Sequence, residues 1–208
     1  MKERYHVSIL ILVLPSLLAI NSCATSSKSL LKSVKANQYV EVENEIAKGT
    51  DVNQQTKWGY TPLMYASMWG CEGLVKLLIE EGADVNAQTK QVGIRQRYNK
   101  KKQERYGIEK YQFHNELTAL MIAVDFGNTG VVSILIRAGA DVNAGTYHYG
   151  YTSLMFAASG GYTAITKLLI DAGADVNYEV MGVTALQIAL SKRYTDIAKL
   201  LIDAGAEK

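Results

Sequence analysis

The hydrophobic residues of this chain fall into two kinds of run. One is continuous: positions 7–20 are apolar almost throughout and follow a charged start of Lys2, Glu3 and Arg4. The others are short and amphipathic. Leu74, Val75, Leu77, Leu78 and Ile79 are spaced to put apolar side chains on one helix face, and 131–136, 165–170 and 197–202 share that layout. Ahead of each lies a second pattern. Thr61 is followed by Leu63 and Ala66, Thr118 by Leu120 and Ala123, Thr152 by Leu154 and Ala157, and Thr184 by Leu186 and Ala189. A Thr hydroxyl accepts from backbone N–H groups two or three residues on, so each of these is a helix N-cap. Pro62 takes the first helical position, where its missing donor costs nothing. Leu63, Ala66 and Ser67 make a narrow face that lets another helix come close. A Gly-centred turn at Gly70 leads to the next helix, and Gly82 supplies the left-handed cap that ends it. The pattern predicts helix pairs.

The pairs recur in register. The block Gly-x-Asp-Val-Asn begins at Gly49, Gly82, Gly139 and Gly173, and Gly205 starts a fifth. Successive glycines are 33, 57, 34 and 32 residues apart, and the Thr sites keep step at 57, 34 and 32. The 57 is one ordinary period carrying an insertion of 24 residues. A fixed period of this size signifies a stacked array, because a helix pair cannot bury its apolar face alone.

These motifs, Thr-Pro-Leu-x-x-Ala and Gly-Ala-Asp-Val-Asn on a period near 33, resemble the ankyrin repeat family. The resemblance implies an all-α solenoid of about five helix-pair units, near 30–53, 54–86, 115–143, 147–177 and 180–208, with a long finger insertion at about 88–115. The family's His after Thr-Pro-Leu is replaced by Met64, Met121, Met155 and Gln187. We therefore expect thioether packing where the family implies a hydrogen-bond network. Leu30, Leu31, Val34, Val40, Val42 and Ile46 would form the leading pair, without the Thr-Pro-Leu start, and Lys192, Arg193, Lys199 and Asp203 would give the last unit a polar surface.

Composition changes this picture mainly at the start of the chain. At about 1.5 Å per residue the run 7–20 spans about 21 Å as a helix, short of a hydrocarbon core of about 30 Å. A charged start, a short apolar stretch and small polar residues describe an export signal, 1–22. Asn21, Ser22 and Cys23 resemble a bacterial lipoprotein processing site, although Asn21 departs from the commoner small residue. That resemblance implies lipidation of Cys23, a tether over 23–29, and a membrane-anchored, extracytoplasmic protein of the periplasm or cell envelope. Ordinary cleavage after Ala24 is the competing reading. Cys23 and Cys71 make no disulfide framework, and two prolines against seventeen glycines fit an array of tight caps.

Charge singles out the insertion. Between Gln88 and Asn115 there are eight basic residues, among them Arg95, Arg97, Lys100, Lys101, Lys102 and Arg105, against Glu104 and Glu109, a local excess of +6. The rest of the chain from Cys23 onward carries a net −5. The overall +2 thus hides a basic arm on an acidic body, interleaved with Tyr98, Tyr106 and Tyr111. Such an arm is either a solvated loop, a recognition element for an acidic protein, or an electrostatic tether to anionic lipid or envelope polymer. Nucleic acid is not expected of an exported chain.

The resemblance also implies a concave partner face, made of finger residues and the ends of first helices. Those positions are Lys57, Trp58, Tyr60, Met68 and Trp69, then Leu117, Asp125 and Phe126, then His148, Tyr149 and Tyr151, and last Met181, Val183 and Lys192. Trp and Tyr dominate interface energetics. No metalloprotease, nucleophile-elbow, phosphate-loop or Cys-x-x-Cys motif is present. The repeated Asp84, Asp141 and Asp175 read as one structural residue rather than a metal cluster. The expectation is a monomeric, non-enzymatic scaffold that holds a protein partner and needs no cofactor or metal.

Overall fold

The computed structural model describes residues 27–90, 116–146 and 150–207. Among these residues lie ten α-helices in five consecutive pairs: α1 (Ser27–Lys35) with α2 (Tyr39–Ala47), α3 (Pro62–Met68) with α4 (Glu72–Glu80), α5 (Ala119–Asp125) with α6 (Thr129–Arg137), α7 (Ser153–Gly160) with α8 (Thr163–Asp171), and α9 (Ala185–Lys192) with α10 (Thr195–Asp203). The β-structure in this part of the chain is two isolated antiparallel bridges, Gly145 with Thr152 and Val180 with Val183. None of these helices is long and apolar enough to cross a membrane; the run at 7–20 lies outside the described residues.

The first helices of the second to fifth pairs start the same way. Thr61, Thr118, Thr152 and Thr184 sit in extended conformation and accept from the backbone N–H three residues on. At the last of these Gln187 closes the reciprocal bond, its Oε1 accepting from the Thr184 N–H at 3.0 Å. At the first, the thioether of Met64 takes that place, Sδ accepting from the Thr61 N–H at 3.5 Å. Met64, Met121 and Met155 are buried, as expected of thioether packing, whereas Gln187 is exposed. In two of these units the residue before the Thr meets the fourth helical residue, a hydrophobic staple that fixes how the chain enters the helix. Tyr60 and Tyr65 lie 5.6 Å apart between ring centres, and Tyr151 and Phe156 lie 6.1 Å apart. Leu117 and Ile122, both buried, hold the same two positions in the third pair.

The second helices end at Gly49, Gly82, Gly139, Gly173 and Gly205, all with φ between +82° and +93°. A side chain at such a φ is strained, which is why the recurrent residue is glycine. First helices then stack as a row, α1 on α3 on α5 on α7 on α9, and second helices as an outer row from α4 to α10. α3 is buried along its whole length, Ser67 included, and the core runs unbroken from Leu30 to Leu201. At roughly 1.5–3 kcal/mol per buried large apolar side chain, this common core is the dominant favourable term.

A ladder of asparagine amides fixes the register between pairs. The Asn53 side chain donates to Gly82 O at 3.0 Å and accepts from Asp84 N–H at 2.7 Å. Asn86 does the same to Gly139 and Asp141, Asn143 to Gly173 and Asp175, and Asn177 to Gly205 and Glu207. The aspartates act locally: Asp51, Asp84, Asp141 and Asp175 each accept from the N–H two residues on. The ladder does not notice the insertion, since Asn86 bridges it with the geometry of the others.

The neck of the insertion explains why. In the second unit Tyr60 N–H donates to Thr56 Oγ1 at 3.0 Å, and in the fourth Tyr151 N–H donates to Thr146 Oγ1 at 3.1 Å. In the third, Leu117 N–H donates to Thr89 Oγ1 at 3.0 Å while Thr89 N–H donates to Leu117 O at 3.0 Å. The base of this finger is closed like those of its neighbours. Lys90 N–H donates to Trp58 O at 3.0 Å, joining this neck to the preceding finger.

Candidate functional site

The described surface carries two large aromatic side chains at neighbouring helix ends. Trp69 and Phe126 are the C-cap residues of α3 and α5, the last backbone positions of two helices that pack directly together. Their side chains are 51% and 39% exposed, high for large apolar groups in an otherwise buried row. The corresponding positions farther along are Gly160 and Lys192, so the aromatic platform belongs to the second and third units. In the finger ahead of α3, the Lys57 ammonium stands 4.4 Å from the centre of the half-buried Trp58 ring. That contact keeps the cation close to an aromatic face.

The platform is held stiffly from behind. Asn128 Nδ2 donates to Ser67 O at 2.8 Å and Met68 O at 3.0 Å, tying the end of α3 to the next unit. One unit on, the Tyr162 hydroxyl donates to Asp125 O at 3.3 Å. The turn glycines make room for these clamps: a Cβ on Gly70 would stand 2.9 Å from Asn128 Oδ1, and one on Gly127 would stand 2.9 Å from the Tyr162 ring. Carbonyls near a helix end have no partner within the helix, and these bonds satisfy them from the next unit. Rigid aromatic side chains on a fixed backbone lose little entropy when a partner arrives.

The other sequence candidates divide. Tyr60 and Met68 are buried and Tyr151 is half-buried; both tyrosines are occupied as staples, so these three pack the array instead of presenting a surface. Leu117 is also buried and Asp125 half-buried, whereas Met181, Val183 and Lys192 are exposed. His148 and Tyr149 lie outside the described residues, as do Arg95, Arg97, Lys100, Lys101, Lys102 and Arg105 of the basic finger, and Cys23. Sequence reasoning took Tyr60 and Tyr151 for contact residues because aromatics flank the finger glycine. Their five-residue spacing from Tyr65 and Phe156 was the signal for a staple. The asparagine ladder was equally present in the motif, but its role needs the neighbouring unit to become visible.

Titration behaviour points the same way. Burial, with the Tyr65 ring adding to it, pushes the Tyr60 phenol up to about 12, and burial does the same to Tyr65. Cys71, at the start of α4, is half-buried and donates to Trp69 O at 3.8 Å. Burial raises its thiol pKa, the wrong direction for a nucleophile at neutral pH. Among the described residues no three His, Cys, Asp or Glu side chains gather as metal ligands would. A hollow between α4 and α6, lined by Lys76, Ile79, Glu80, Ile134, Arg137 and Ala138, opens broadly to solvent.

Comparison with known proteins agrees with this architecture. The family described as Ankyrin repeats (3 copies) matches residues 96–180 and again 120–208, and the family described as Ankyrin repeat matches 58–90. Alpha-latrotoxin-Lt1a of Latrodectus tredecimguttatus is 46% identical over 44 residues, 21% of this chain and 3% of that protein. The 2-5A-dependent ribonuclease of Mus musculus is 38% identical over 63 residues, 30% of this chain and 9% of the relative. The mitochondrial disaggregase of Bos taurus is 32% identical over 65 residues, 31% of this chain and 10% of the relative. These likenesses cover a tenth or less of each relative's length.

Proposed function

This chain belongs to the ankyrin repeat family, and from that premise we propose that it is a non-enzymatic scaffold that binds a protein partner across the face built from its fingers and first helices. The observation that carries the reading is the exposed pair Trp69 and Phe126, fixed on adjoining helix ends by Asn128 and Tyr162. Trp58 with Lys57 would add a contact in the finger ahead of α3, and the basic residues of 91–115 would add attraction for an acidic partner. Export under the leader 1–22 and lipidation of Cys23 would hold this face outside the cytoplasm, against a membrane.

The test is photo-crosslinking from position 69, with position 167 on the outer row as the control site. A discrete partner adduct from 69 that is absent from 167 supports the reading. Equal labelling from both sites overturns it. With the partner in hand, Trp69→Ala and Phe126→Ala should each weaken binding by about 2 kcal/mol, the scale of an aromatic hot spot. The site of action has its own test. Fatty-acid labelling that persists in Cys23→Ala would remove the lipid anchor from the proposal.

A further inference from the structure

The two rows of helices divide the charge between them. The five first helices carry Lys28, Lys32, Lys35 and Lys192 against Asp125, a formal charge of +3. The five second helices carry eight acidic and four basic residues, a formal charge of −4. Charges that only keep a surface soluble mix both signs on every side. Here the first row is cationic and the outer row anionic.

The exposed lysines of the first row have fixed places in the repeat. Counted back from the helix-ending glycines, Lys32 holds the position of Tyr65, and Lys35 that of Met68. Counted on from the capping threonines, Lys192 holds the position of Trp69 and Phe126. Equivalent positions of a stacked row face the same way. Lys35 shows this directly, its ammonium 4.3 Å from the centre of the Tyr65 ring on the neighbouring α3. Asp125 is half-buried, whereas Lys32, Lys35 and Lys192 are exposed. From the leading pair to the last, the face runs from lysine through Trp69 and Phe126, over bare Gly160, to lysine again.

We propose that the partner segment held here is acidic at both ends and apolar between, with its carboxylates against Lys32, Lys35 and Lys192 and its apolar side chains on Trp69 and Phe126. This rests on the partner-binding face proposed above and adds the chemistry that the face selects. Complementary charge fixes specificity and register more than raw affinity. Two lysines at one end and one at the other give the segment a preferred direction. Packed helices lie about 8–10 Å apart, so the row spans about 40 Å, which an extended chain covers in about twelve residues.

A random library of peptides of about that length, displayed on phage and selected on the immobilised full chain, tests it. Selected peptides should carry net negative charge together with apolar residues, and their binding should weaken as salt is raised. Lys32→Glu with Lys35→Glu, and separately Lys192→Glu, should each weaken those peptides at least about tenfold, while Lys199→Glu on the outer row changes little. Circular dichroism checks that the variants keep their helices; one that does not is replaced by its Lys→Gln counterpart, which should weaken binding in the same direction. A selection that needs Trp69 yet shows no acidic excess overturns the inference and leaves the partner face standing. An acidic selection indifferent to both first-row changes overturns it too, since the anions are then held elsewhere, as does a library that yields no binder. Peptides that bind Trp69→Ala and Phe126→Ala as tightly as the parent overturn the face itself.

Discussion

The side chain of Asn86 fixes the register of the array across its longest interruption. Its amide makes two bonds to backbone groups more than fifty residues away in sequence. Replacing it with Ala removes both and leaves Gly139 O and Asp141 N–H to water. Because the site is exposed, the loss should be modest, about 1–2 kcal/mol in urea denaturation. Hydrogen exchange at the Asp141 amide should rise more than at Asp84, which Asn53 still holds. Tyr60 separates packing from recognition at the same scale. Tyr60→Ala should cost about 3 kcal/mol of stability, as aromatic truncations in cores do, while Tyr60→Phe should cost far less. Tyr60 and Tyr65 also set an alkaline limit. Burial holds their phenols at about 12 in the folded chain, above the ordinary tyrosine value of 10.0, so the unfolded chain loses those protons first. Their stabilising contribution is complete below pH 10 and is lost as pH rises toward 12. The melting temperature should therefore fall across that window, and the double Phe variant should show a smaller fall.

Elements in this protein are short, and seven to nine residues are too few to form a stable helix alone in water. The first helices of the last four pairs are each made viable by a Thr cap and a packed neighbour, two of them with an aromatic staple as well. Thr118→Val keeps the shape and removes the cap, so it should destabilise by about 1 kcal/mol, measured by denaturant midpoint at unchanged slope. The finger is the element that varies. Thr56 and Tyr60 close one over three residues, and Thr89 and Leu117 close another over the whole insertion with the same bond. Deleting 91–115 and joining Lys90 to Glu116 through one glycine restores a three-residue finger. The melting temperature should stay within about 5 °C of the parent, because no bond of the neck is lost. The same deletion should make any acidic partner associate more slowly and with less salt dependence.

The whole molecule is a one-dimensional stack, so its stability is shared between neighbours and not concentrated in one centre. Leu120, fully buried in the middle pair, touches the consequences of this most directly. Leu120→Ala should cost 2–5 kcal/mol, by roughly the scale of other buried leucines, and should loosen units on both sides in hydrogen exchange. The two ends differ in kind. The leading pair begins the core at Leu30, and the last pair turns Leu190 and Ile202 outward beside charges of both signs. Between them Trp69 and Phe126 sit at the helix ends of the second and third units.

The amino-acid sequence alone determined the repeated unit. Thr caps, helix-ending glycines and the 3.6-residue apolar period are local instructions, each readable within a dozen residues. Four copies in step made the array and its insertion legible before any coordinates. The replacement of the family His by Met foretold buried thioethers for the same reason: the position repeats, so its environment does too. Tertiary structure decided everything that depends on the next unit. Asn53 and Asn86 look like turn residues until a neighbouring Gly carbonyl stands before them. Tyr60 and Trp69 are both aromatics near a turn glycine, yet one is covered by its own staple and the other is left outside at a helix end. Leu190 carries the same apolar signal as Val124. Val124 becomes core because the next helix pair packs over it, a contact that its own unit does not spell out.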